Sequence, residues 1–308
     1  MGKLTFFLGA VAVLRLLGHF TDPLLSSAQI HHVVGEPSRV AVTEPHTSLR
    51  VVTWNIEQGV RFDDITQQLQ RMNADIVLLQ EADIACQRSG NRNVPRDLAH
   101  ALQMNWVAAG EFQEIGESSK GIPALTTQAI LSRYPITGAT TIRFAKQALL
   151  RWKLSPVQPR RGARIALKAR TAGVQLYNAH IESGGNETLR TRQMRQILDD
   201  FARNRPENGR AIIAGDFNNI PAPRSPMFRA LGEGGFQNAL ERTAPMRTSA
   251  GNKHPIDWIF VRGLTADGQV VDTGKASDHF PVLAEIRAAG LLHGARERNP
   301  GTATTRTP

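Results

Sequence analysis

The chain of 308 residues is long enough for one large α/β domain or two ordinary ones, and its 41% apolar and 21% charged residues are typical of soluble globular proteins. Its net charge of +10, from 37 Lys and Arg against 27 Asp and Glu, favours anionic partners such as nucleic acid, phosphorylated metabolites or an acidic lipid surface. The single cysteine, Cys86, excludes an intrachain disulfide and a cysteine-rich zinc site.

The N-terminus is apolar from Leu4 to Leu17, apart from Arg15, and the small residues Ser26-Ser27-Ala28 follow. This pattern predicts a signal peptide or a membrane-associating segment over residues 1–28, with a short helix lying on the domain as the alternative. The segment is short for a membrane span, which needs about 20 apolar residues. The pattern leaves localisation open between an exported or membrane-associated protein and a cytoplasmic one.

The next segments divide the rest of the chain. Residues 29–47 are interpreted as a linker, because Gly35 to Thr47 is polar and contains two prolines. Residues 48–288 are predicted to form the folded domain. Residues 289–308 are rich in Arg, Thr, Gly and Pro and are predicted to be a disordered tail.

Within the predicted domain, short apolar runs alternate with helical patterns. Strands are predicted at Leu49–Trp54, Ile76–Leu79, Ala129–Leu131, Arg164–Lys168, Val174–Asn178, Ala211–Ala214, Ile256–Val261 and Val282–Ile286. Helices are predicted from Asp63 or Asp64 to Met72, from Arg96 to Leu102 and from Thr188 to Ala202. The last has an apolar stripe at helical spacing, formed by Met194, Ile197, Leu198 and Phe201. This order predicts two packed sheets with helices outside.

Polar side chains stand at the ends of these strands, and one acid lies inside an apolar run. The segments are Trp54-Asn55-Ile56-Glu57, Leu79-Gln80-Glu81, Asn178-Ala179-His180, Gly215-Asp216-Phe217-Asn218, Ile256-Asp257-Trp258 and Ser277-Asp278-His279. Loops at strand ends are held by a rigid scaffold and often carry function. An acid followed by Asn or His suits holding a hard cation and steering a water molecule. The pattern therefore predicts metal-assisted phosphoester chemistry.

In their order and local sequence these segments resemble the motifs of the endonuclease/exonuclease/phosphatase superfamily, the group with the deoxyribonuclease I-like fold. The resemblance extends from about Leu49 to Ile286. It implies an α/β (α+β) fold, a four-layer sandwich of two packed mixed β-sheets flanked by helices, with the active site at one rim. It also implies hydrolysis of phosphodiesters or phosphomonoesters with Mg²⁺ or Mn²⁺.

The same resemblance implies a metal site. Glu81 matches the principal metal carboxylate, Asp278 a further acid, and Asn55 an amide near the metal. Magnesium prefers oxygen ligands, keeps several waters and usually takes only one or two carboxylates from the protein. The residue types at these three positions agree with that preference.

The remaining matched residues are implied to act on the water and the phosphate. Asp216 and Asn218 match the pair that orients or deprotonates the attacking water and holds the phosphate. His279 matches the imidazole that contacts the phosphoryl oxygens, and Asp257 the carboxylate that orients it. His180 matches a histidine that contacts the phosphate or assists the leaving group. Glu57 could be a supporting acid or simply an exposed one.

Departures from familiar subgroups leave the substrate open. The first motif, Trp-Asn-Ile-Glu-Gln-Gly, differs from the Trp-Asn-x-Asn-Gly of abasic-site endonucleases, and the inositol-phosphate 5-phosphatase signature is absent around Asp257. We therefore predict a phosphodiesterase that uses in-line attack of an activated water on a phosphoester of nucleic acid or of a phospholipid head group. The alternatives are a nonspecific nuclease, a lipid head-group phosphodiesterase and a non-catalytic scaffold that binds anionic polymer or membrane. No protein partner is inferred.

One basic region stands out, from Arg151 to Arg164, with Lys153, Arg160 and Arg161 between them. As an anion-gathering loop beside the active site, this region would raise the local concentration of substrate. The alternative is a solvated loop without such a role.

Overall fold

The computed structural model describes residues 22–40, 48–119, 121–148, 160–219, 225–240, 247–251 and 254–287. The apolar N-terminal stretch, the predicted C-terminal tail and residues 151–159 of the basic region lie outside these ranges. Within them, no helix is both long and apolar enough to cross a bilayer.

The described part of the chain folds into two β-sheets with helices on their outer faces. The strands are β1 (Val33–Glu36), β2 (Ser48–Gln58), β3 (Ile76–Ile84), β4 (Asn105–Glu114), β5 (Leu125–Ser132), β6 (Thr137–Arg143), β7 (Arg160–Gly162), β8 (Ile165–Thr171), β9 (Val174–His180), β10 (Ala211–Asp216), β11 (Gln237–Asn238), β12 (Asp257–Arg262), β13 (Thr265–Val270) and β14 (Val282–Arg287). The helices are α1 (Ser27–Ile30), α2 (Phe62–Met72), α3 (Val94–Leu102), α4 (Glu187–Arg203) and α5 (Pro226–Glu233).

Both sheets are mixed. Sheet I has the strand order β1-β4-β5-β3-β2-β14-β13, with β7 also paired to β4, and sheet II has the order β11-β12-β10-β9-β8-β6. The pairs β2/β3 and β9/β10 are parallel, so the carboxyl ends of these strands meet at the same edge of their sheets. The other pairs are antiparallel.

The two faces of sheet I pack against different layers. Val52 and Trp54 of β2 share a core with Ile65 of α2 and Leu98 of α3. The preceding Val51 belongs instead to the core shared with sheet II, as the alternation of side chains along a strand requires. Helices α4 and α5 add Met194, Ile197, Met227 and Leu231 to that second core. The order of layers is helices, sheet, sheet, helices, which confirms the predicted four-layer sandwich.

Strand β4 is absent from the sequence prediction because its side chains follow neither strand pattern. All ten of its residues are buried, yet Asn105, Glu111, Gln113 and Glu114 are polar. Neither an apolar/polar alternation nor a continuous apolar run therefore marks it. Its burial depends on polar partners from other strands, and periodicity carries no information about such partners.

The prediction of a linker over residues 29–47 is wrong for its first part. Residues Val33–Glu36 form β1, which pairs antiparallel with β4, and Ser27–Ile30 form a helix capped by Ser26. The Gln113 side chain accepts a hydrogen bond from the Leu25 amide at 3.0 Å and donates one to the Pro23 carbonyl at 2.8 Å. The folded unit thus includes residues before 48, which cover the edge of β4 along residues 106–109.

Gly215 is required where β10 approaches β9. Its φ is 145°, and a Cβ there would lie 1.8 Å from the Ala179 carbonyl oxygen. We expect Gly215→Ala to lower the free energy of unfolding by about 3 kcal/mol or more, because backbone rather than a flexible side chain would have to move. Urea unfolding checks this, with Gly232→Ala as the control, since nothing lies within 4 Å of a Cβ at Gly232. Equal stability of the two variants would contradict it.

Candidate active site

Asp216 is the centre of the cluster of polar residues. It is the last residue of β10, where it pairs in register with His180 of β9 on one side and Asp257 of β12 on the other. Asn55 of sheet I donates a hydrogen bond from Nδ2 to Asp216 Oδ2 at 3.3 Å. Segments far apart in sequence and from both sheets therefore meet at this carboxylate.

Glu81 reaches the same rim through an irregularity in β3. The pairing of β3 with β5 shifts register between Leu79 and Ala82, and Glu81 has a φ of 53°. A non-glycine residue in this left-handed region costs free energy and is common at functional sites. The Gln58 side chain donates a hydrogen bond to Glu81. Glu81 Oε1 lies 4.0 Å from His180 Nε2, which places it beside the Asp216 cluster.

Buried amide side chains connect the two sheets beneath the site. Gln80 donates to Asn178 Oδ1 at 2.6 Å, and Asn178 donates to the Leu79 and Ala129 carbonyls at 2.7 and 2.9 Å. Because Gln80 precedes Glu81 and Asn178 lies two residues before His180, these bonds fix the relative position of the two functional side chains.

The segment Ser277-Asp278-His279, which precedes β14, completes the site. Ser277 Oγ donates to the Asn55 carbonyl at 2.8 Å, and Trp54 Nε1 donates to the His279 carbonyl at 2.9 Å. These two bonds attach the segment to β2. Asp278 is exposed at the rim, whereas His279 is 7% exposed.

His279 and Asp257 form a buried pair. Nδ1 of His279 lies 2.9 Å from Asp257 Oδ2, and its Nε2 lies 3.9 Å from Asp216 Oδ2. Burial acts to lower the pKa of His279, but Asp257, Asp216 and Asp278 together raise it to about 10. The raised pKa favours the protonated imidazole, which directs one N–H at Asp257 and keeps the other available on the Asp216 side.

His180 is held by an ion pair that the sequence did not reveal. Its Nδ1 lies 2.6 Å from Arg164 Nη1 and 3.1 Å from Glu111 Oε2, and Arg164 and Glu111 contact each other at 3.0 Å. Both partners fix the ring so that Nε2 lies 3.6 Å from Asp216 Oδ2. Burial acts to raise the pKa of Glu111, but Arg164 and His180 lower it to about 2.

Glu111→Gln is expected to lower the free energy of unfolding by about 3–5 kcal/mol, because Arg164 then keeps a buried charge without its counter-ion. The pKa of Glu111 lies below its ordinary 4.5, so the stabilisation is complete above pH 4.5 and declines as the pH falls towards 2. Urea unfolding across this pH range checks both points. Glu285→Gln is the control, because Glu285 pairs with Arg287 on the exposed surface. A Glu111→Gln protein as stable as wild type at pH 7 would contradict the role of Glu111 as the buried counter-ion of Arg164.

Asn218 is attached to the site through Asp216. Its backbone N–H donates to Asp216 Oδ1 at 2.9 Å, and its Nδ2 donates to the Ile181 carbonyl at 3.1 Å. The side-chain nitrogen therefore joins the loops after β9 and β10. The Asn218 N–H fixes the orientation of the Asp216 carboxylate.

Two sets of residues could hold a cation. Asn55, Glu81 and Asp278 can each offer an oxygen ligand. Burial raises the pKa of Asp278, and Glu57 and Glu81 add to this effect while His279 opposes it. Burial acts to raise the pKa of Glu81, but His180, Arg164 and Arg160 lower it. In the described ranges, Asp216, Asp257 and His279 also place donor atoms within 4.8 Å of one another. That buried group could bind a metal as well.

The structure thus brings the eight predicted site residues to one rim, with Asn55, Glu81, His180, Asp216, Asp257 and His279 joined by contacts of 4.0 Å or less.

In the described part of the basic region, two arginines are held in ion pairs. Arg164 is buried against Glu111, and Arg160 pairs with Glu114 at 2.8 Å. Glu57 forms an ion pair with Arg61 at 2.6 Å.

The model of the Endonuclease/Exonuclease/phosphatase family matches residues 52–279. The chain belongs to this family. Its match begins at Val52 in β2 and ends at His279, so it includes every residue of the candidate site. Members of the family are hydrolases that act on phosphoester bonds and are typically dependent on divalent metal, which places the chain in that enzyme class.

The chain is also similar to individual bacterial proteins and to solved structures. A UPF0294 protein of Yersinia enterocolitica is 26% identical over 78% of this chain and 84% of its own length. A UPF0294 protein of Vibrio cholerae is 27% identical over 78% of each chain. The human Nocturnin catalytic domain with bound sulfate anion has a TM-score of 0.58 at 15% identity, covering 85% of this chain and 99% of that domain.

A mannosyl-6-phosphatase of Bacteroides thetaiotaomicron has a TM-score of 0.56 at 20% identity, covering 77% of this chain and 99% of its own. At such identities the two structures show the shared deoxyribonuclease I-like fold, and this agrees with the two mixed sheets and flanking helices described above.

Proposed function

We propose that the chain is a divalent-metal-dependent phosphodiesterase that hydrolyses its substrate by in-line attack of a water molecule. The observation that carries this proposal is the position of Asp216, a buried carboxylate surrounded by Asn55, His180 and His279, with Glu81 beyond His180. Carboxylate, amide and imidazole groups that converge at a strand end provide both a base for water and donors for phosphoryl oxygens.

Asn55, Glu81 and Asp278 are the residues proposed to hold Mg²⁺ or Mn²⁺. Their donors are all oxygen, and the exposure of Asp278 allows the cation to keep waters. The group of Asp216, Asp257 and His279 suits this cation less well, because His279 Nδ1 already faces Asp257. The bound cation would neutralise charge on the phosphoryl group and the leaving oxygen.

Asp216 is proposed to orient and deprotonate the attacking water. Its Oδ1 accepts from the Asn218 N–H and its Oδ2 from Asn55, so the carboxylate plane is fixed while Oδ2 keeps a further acceptor site. A water donating to that site would be held beside the phosphorus with its lone pair free to attack.

The two histidines are proposed to act on the phosphate. His279, protonated and oriented by Asp257, donates its Nε2–H to a non-bridging oxygen as charge grows there. His180, held by Glu111 and Arg164, presents Nε2 between Asp216 and Glu81, where it can contact the phosphate or assist the leaving group. Each lies at the rim where a diester would have to enter.

The substrate is proposed to be a phosphodiester of nucleic acid or of a phospholipid head group, in keeping with the net charge of +10. The test is hydrolysis by the purified full chain with Mg²⁺ of bis-p-nitrophenyl phosphate, p-nitrophenyl phosphate, plasmid DNA and sphingomyelin. We expect Mg²⁺-dependent cleavage of the diester in preference to the monoester. A folded, metal-binding protein that cleaves none of the four would contradict the proposal.

A further inference from the structure

The turn at the end of β2 contains residues that are unusual for its backbone conformation. The Gly59 amide donates to the Ile56 carbonyl at 2.9 Å, so residues 56–59 form a four-residue turn. Its two central residues, Glu57 and Gln58, have φ angles of 47° and 61°. Turns with positive φ at both central positions use mainly Gly, Asn and Asp, because longer side chains are strained there. The chain has none of these three residue types at either position.

The departure from the abasic-site endonuclease motif falls on the same two positions. In Trp-Asn-x-Asn-Gly the last two residues are Asn and Gly, which adopt positive φ at low cost. Glu57 and Gln58 stand there in this chain. A strained backbone persists only where the surrounding structure holds it, and such strain is concentrated at functional sites. The strain therefore accompanies two longer side chains, and their contacts show what each of them does.

The two side chains have different partners. Glu57 forms an ion pair with Arg61 at 2.6 Å in an exposed position. Gln58 is half-buried, and its Nε2 donates a hydrogen bond to Oε2 of Glu81. The other oxygen of this carboxylate, Oε1, lies 4.0 Å from His180 Nε2. Because an amide is neutral, Gln58 orients the carboxylate of Glu81 without cancelling its charge.

Glu81 needs such a contact because the pairing of its strand is irregular on both sides. Between the pairs Asn55↔Gln80 and Gln58↔Ala82, β2 has two residues where β3 has only Glu81. Towards β5, Gln80 and Glu81 lie opposite a single residue. A bulge of this kind interrupts the hydrogen-bond ladder locally. Regular strand pairing therefore does not fix the carboxylate of Glu81, and side-chain contacts have to do so.

We propose that Gln58 is a positioning residue that holds the Glu81 carboxylate in the orientation needed to bind the cation. With the Gln58 amide on Oε2, the acceptor sites of Oε1 and a second site on Oε2 remain free for that role. Removing a residue that orients a metal-binding side chain typically weakens metal affinity about 10–100-fold. The inference deepens the proposed function and rests on its assignment of Glu81 to the metal.

A glycine at position 58 separates this role from a role in the fold. Gln58→Gly removes the amide and at the same time relieves the strain of the positive φ. Calorimetric titration of the full chain, freed of metal, should show a dissociation constant for Mn²⁺ that is about tenfold higher than in wild type. The thermal unfolding temperature should stay within about 3 °C of the wild-type value, because relief of strain offsets the lost hydrogen bond.

Gln103→Gly is the matched control. Gln103 also has a positive φ, 55°, but it is exposed at the end of α3. Glycine there relieves the same kind of strain, at a helix end where glycine is common, and leaves Glu81 untouched. We expect this variant to bind Mn²⁺ as wild type does. A loss of Mn²⁺ affinity as large as that of Gln58→Gly would overturn the proposal, because the loss would not depend on the contact with Glu81.

A double variant shows whether Gln58 acts through Glu81. Glu81→Gln alone is expected to weaken Mn²⁺ affinity about 10–100-fold. Adding Gln58→Gly to it should weaken the affinity by less than about twofold more, because the carboxylate that Gln58 orients is already absent. Losses that multiply in full would overturn the proposal, since Gln58 would then affect the cation by another route.

The same titrations distinguish failure of this inference from failure of the proposed function. If Glu81→Gln weakens Mn²⁺ binding and Gln58→Gly does not, Gln58 does not position the carboxylate and the inference alone fails. If neither variant changes the affinity, or wild type binds no Mn²⁺, the metal site assigned to Glu81 fails and the inference fails with it.

Discussion

Asp216→Asn is expected to lower kcat by about 10²–10⁴-fold, because the amide cannot accept the proton of the attacking water. The substitution preserves shape. With the new carbonyl oxygen at the Oδ1 position the Asn218 N–H keeps its acceptor, and only the 3.3 Å bond from the Asn55 amide is lost. We therefore expect the thermal unfolding temperature to change little and KM for the diester to stay within a few-fold. Steady-state hydrolysis with saturating Mg²⁺ gives both constants.

The control for this variant is Asp267→Asn, since Asp267 is exposed on β13, away from the site. It should retain full activity. If Asp216→Asn were as active as the Asp267→Asn protein, the attacking water would have to be activated by another group. A collapse in stability with no separable kinetic effect would instead mean that Asp216 is needed for the fold.

Glu81→Gln is expected to weaken the affinity for Mn²⁺ by about 10–100-fold, because a neutral amide replaces the carboxylate that faces the proposed cation. Titration calorimetry of the apo protein measures the dissociation constant without reference to turnover. At saturating metal part of the activity should return, which separates a role in binding the metal from a role in the chemical step.

Two further variants distinguish between the two candidate sets of metal ligands. Glu233→Gln, at the exposed end of α5, should bind Mn²⁺ as wild type does. Asp257→Asn should change the affinity less than Glu81→Gln, because Asp257 is proposed to orient His279 rather than to hold the cation. A larger effect of Asp257→Asn would assign the metal to Asp216, Asp257 and His279 instead.

The sequence carried most of the information about the site, for a physical reason. Asn55, Glu81, His180 and Asp216 lie at or near the carboxyl ends of strands whose apolar, β-branched cores are visible as periodic patterns. The two parallel pairs, β2/β3 and β9/β10, then bring those ends together in each sheet. Helix α4 could also be predicted from its pattern, because Met194, Ile197 and Phe201 form one apolar stripe, which is buried in the structure.

What the sequence concealed is held by tertiary polar contacts. Glu111 supports His180 from the middle of β4, a strand without recognisable periodicity. The only local signal was an acid inside a stretch that also contains Trp106 and Phe112, and nothing nearby in sequence identified its partner. Arg164, grouped by sequence with a basic loop, is that partner and is 5% exposed. Likewise β1 is defined by the free edge of β4 that it covers.

The position of the cation tests the central claim most directly. Crystals of the wild-type protein grown with Mn²⁺ and measured near the manganese absorption edge would locate the metal by its anomalous scattering. We predict a peak within coordination distance of Glu81 and Asp278. A peak enclosed by Asp216, Asp257 and His279, or an unoccupied rim in crystals where Mn²⁺ binds elsewhere, would contradict it.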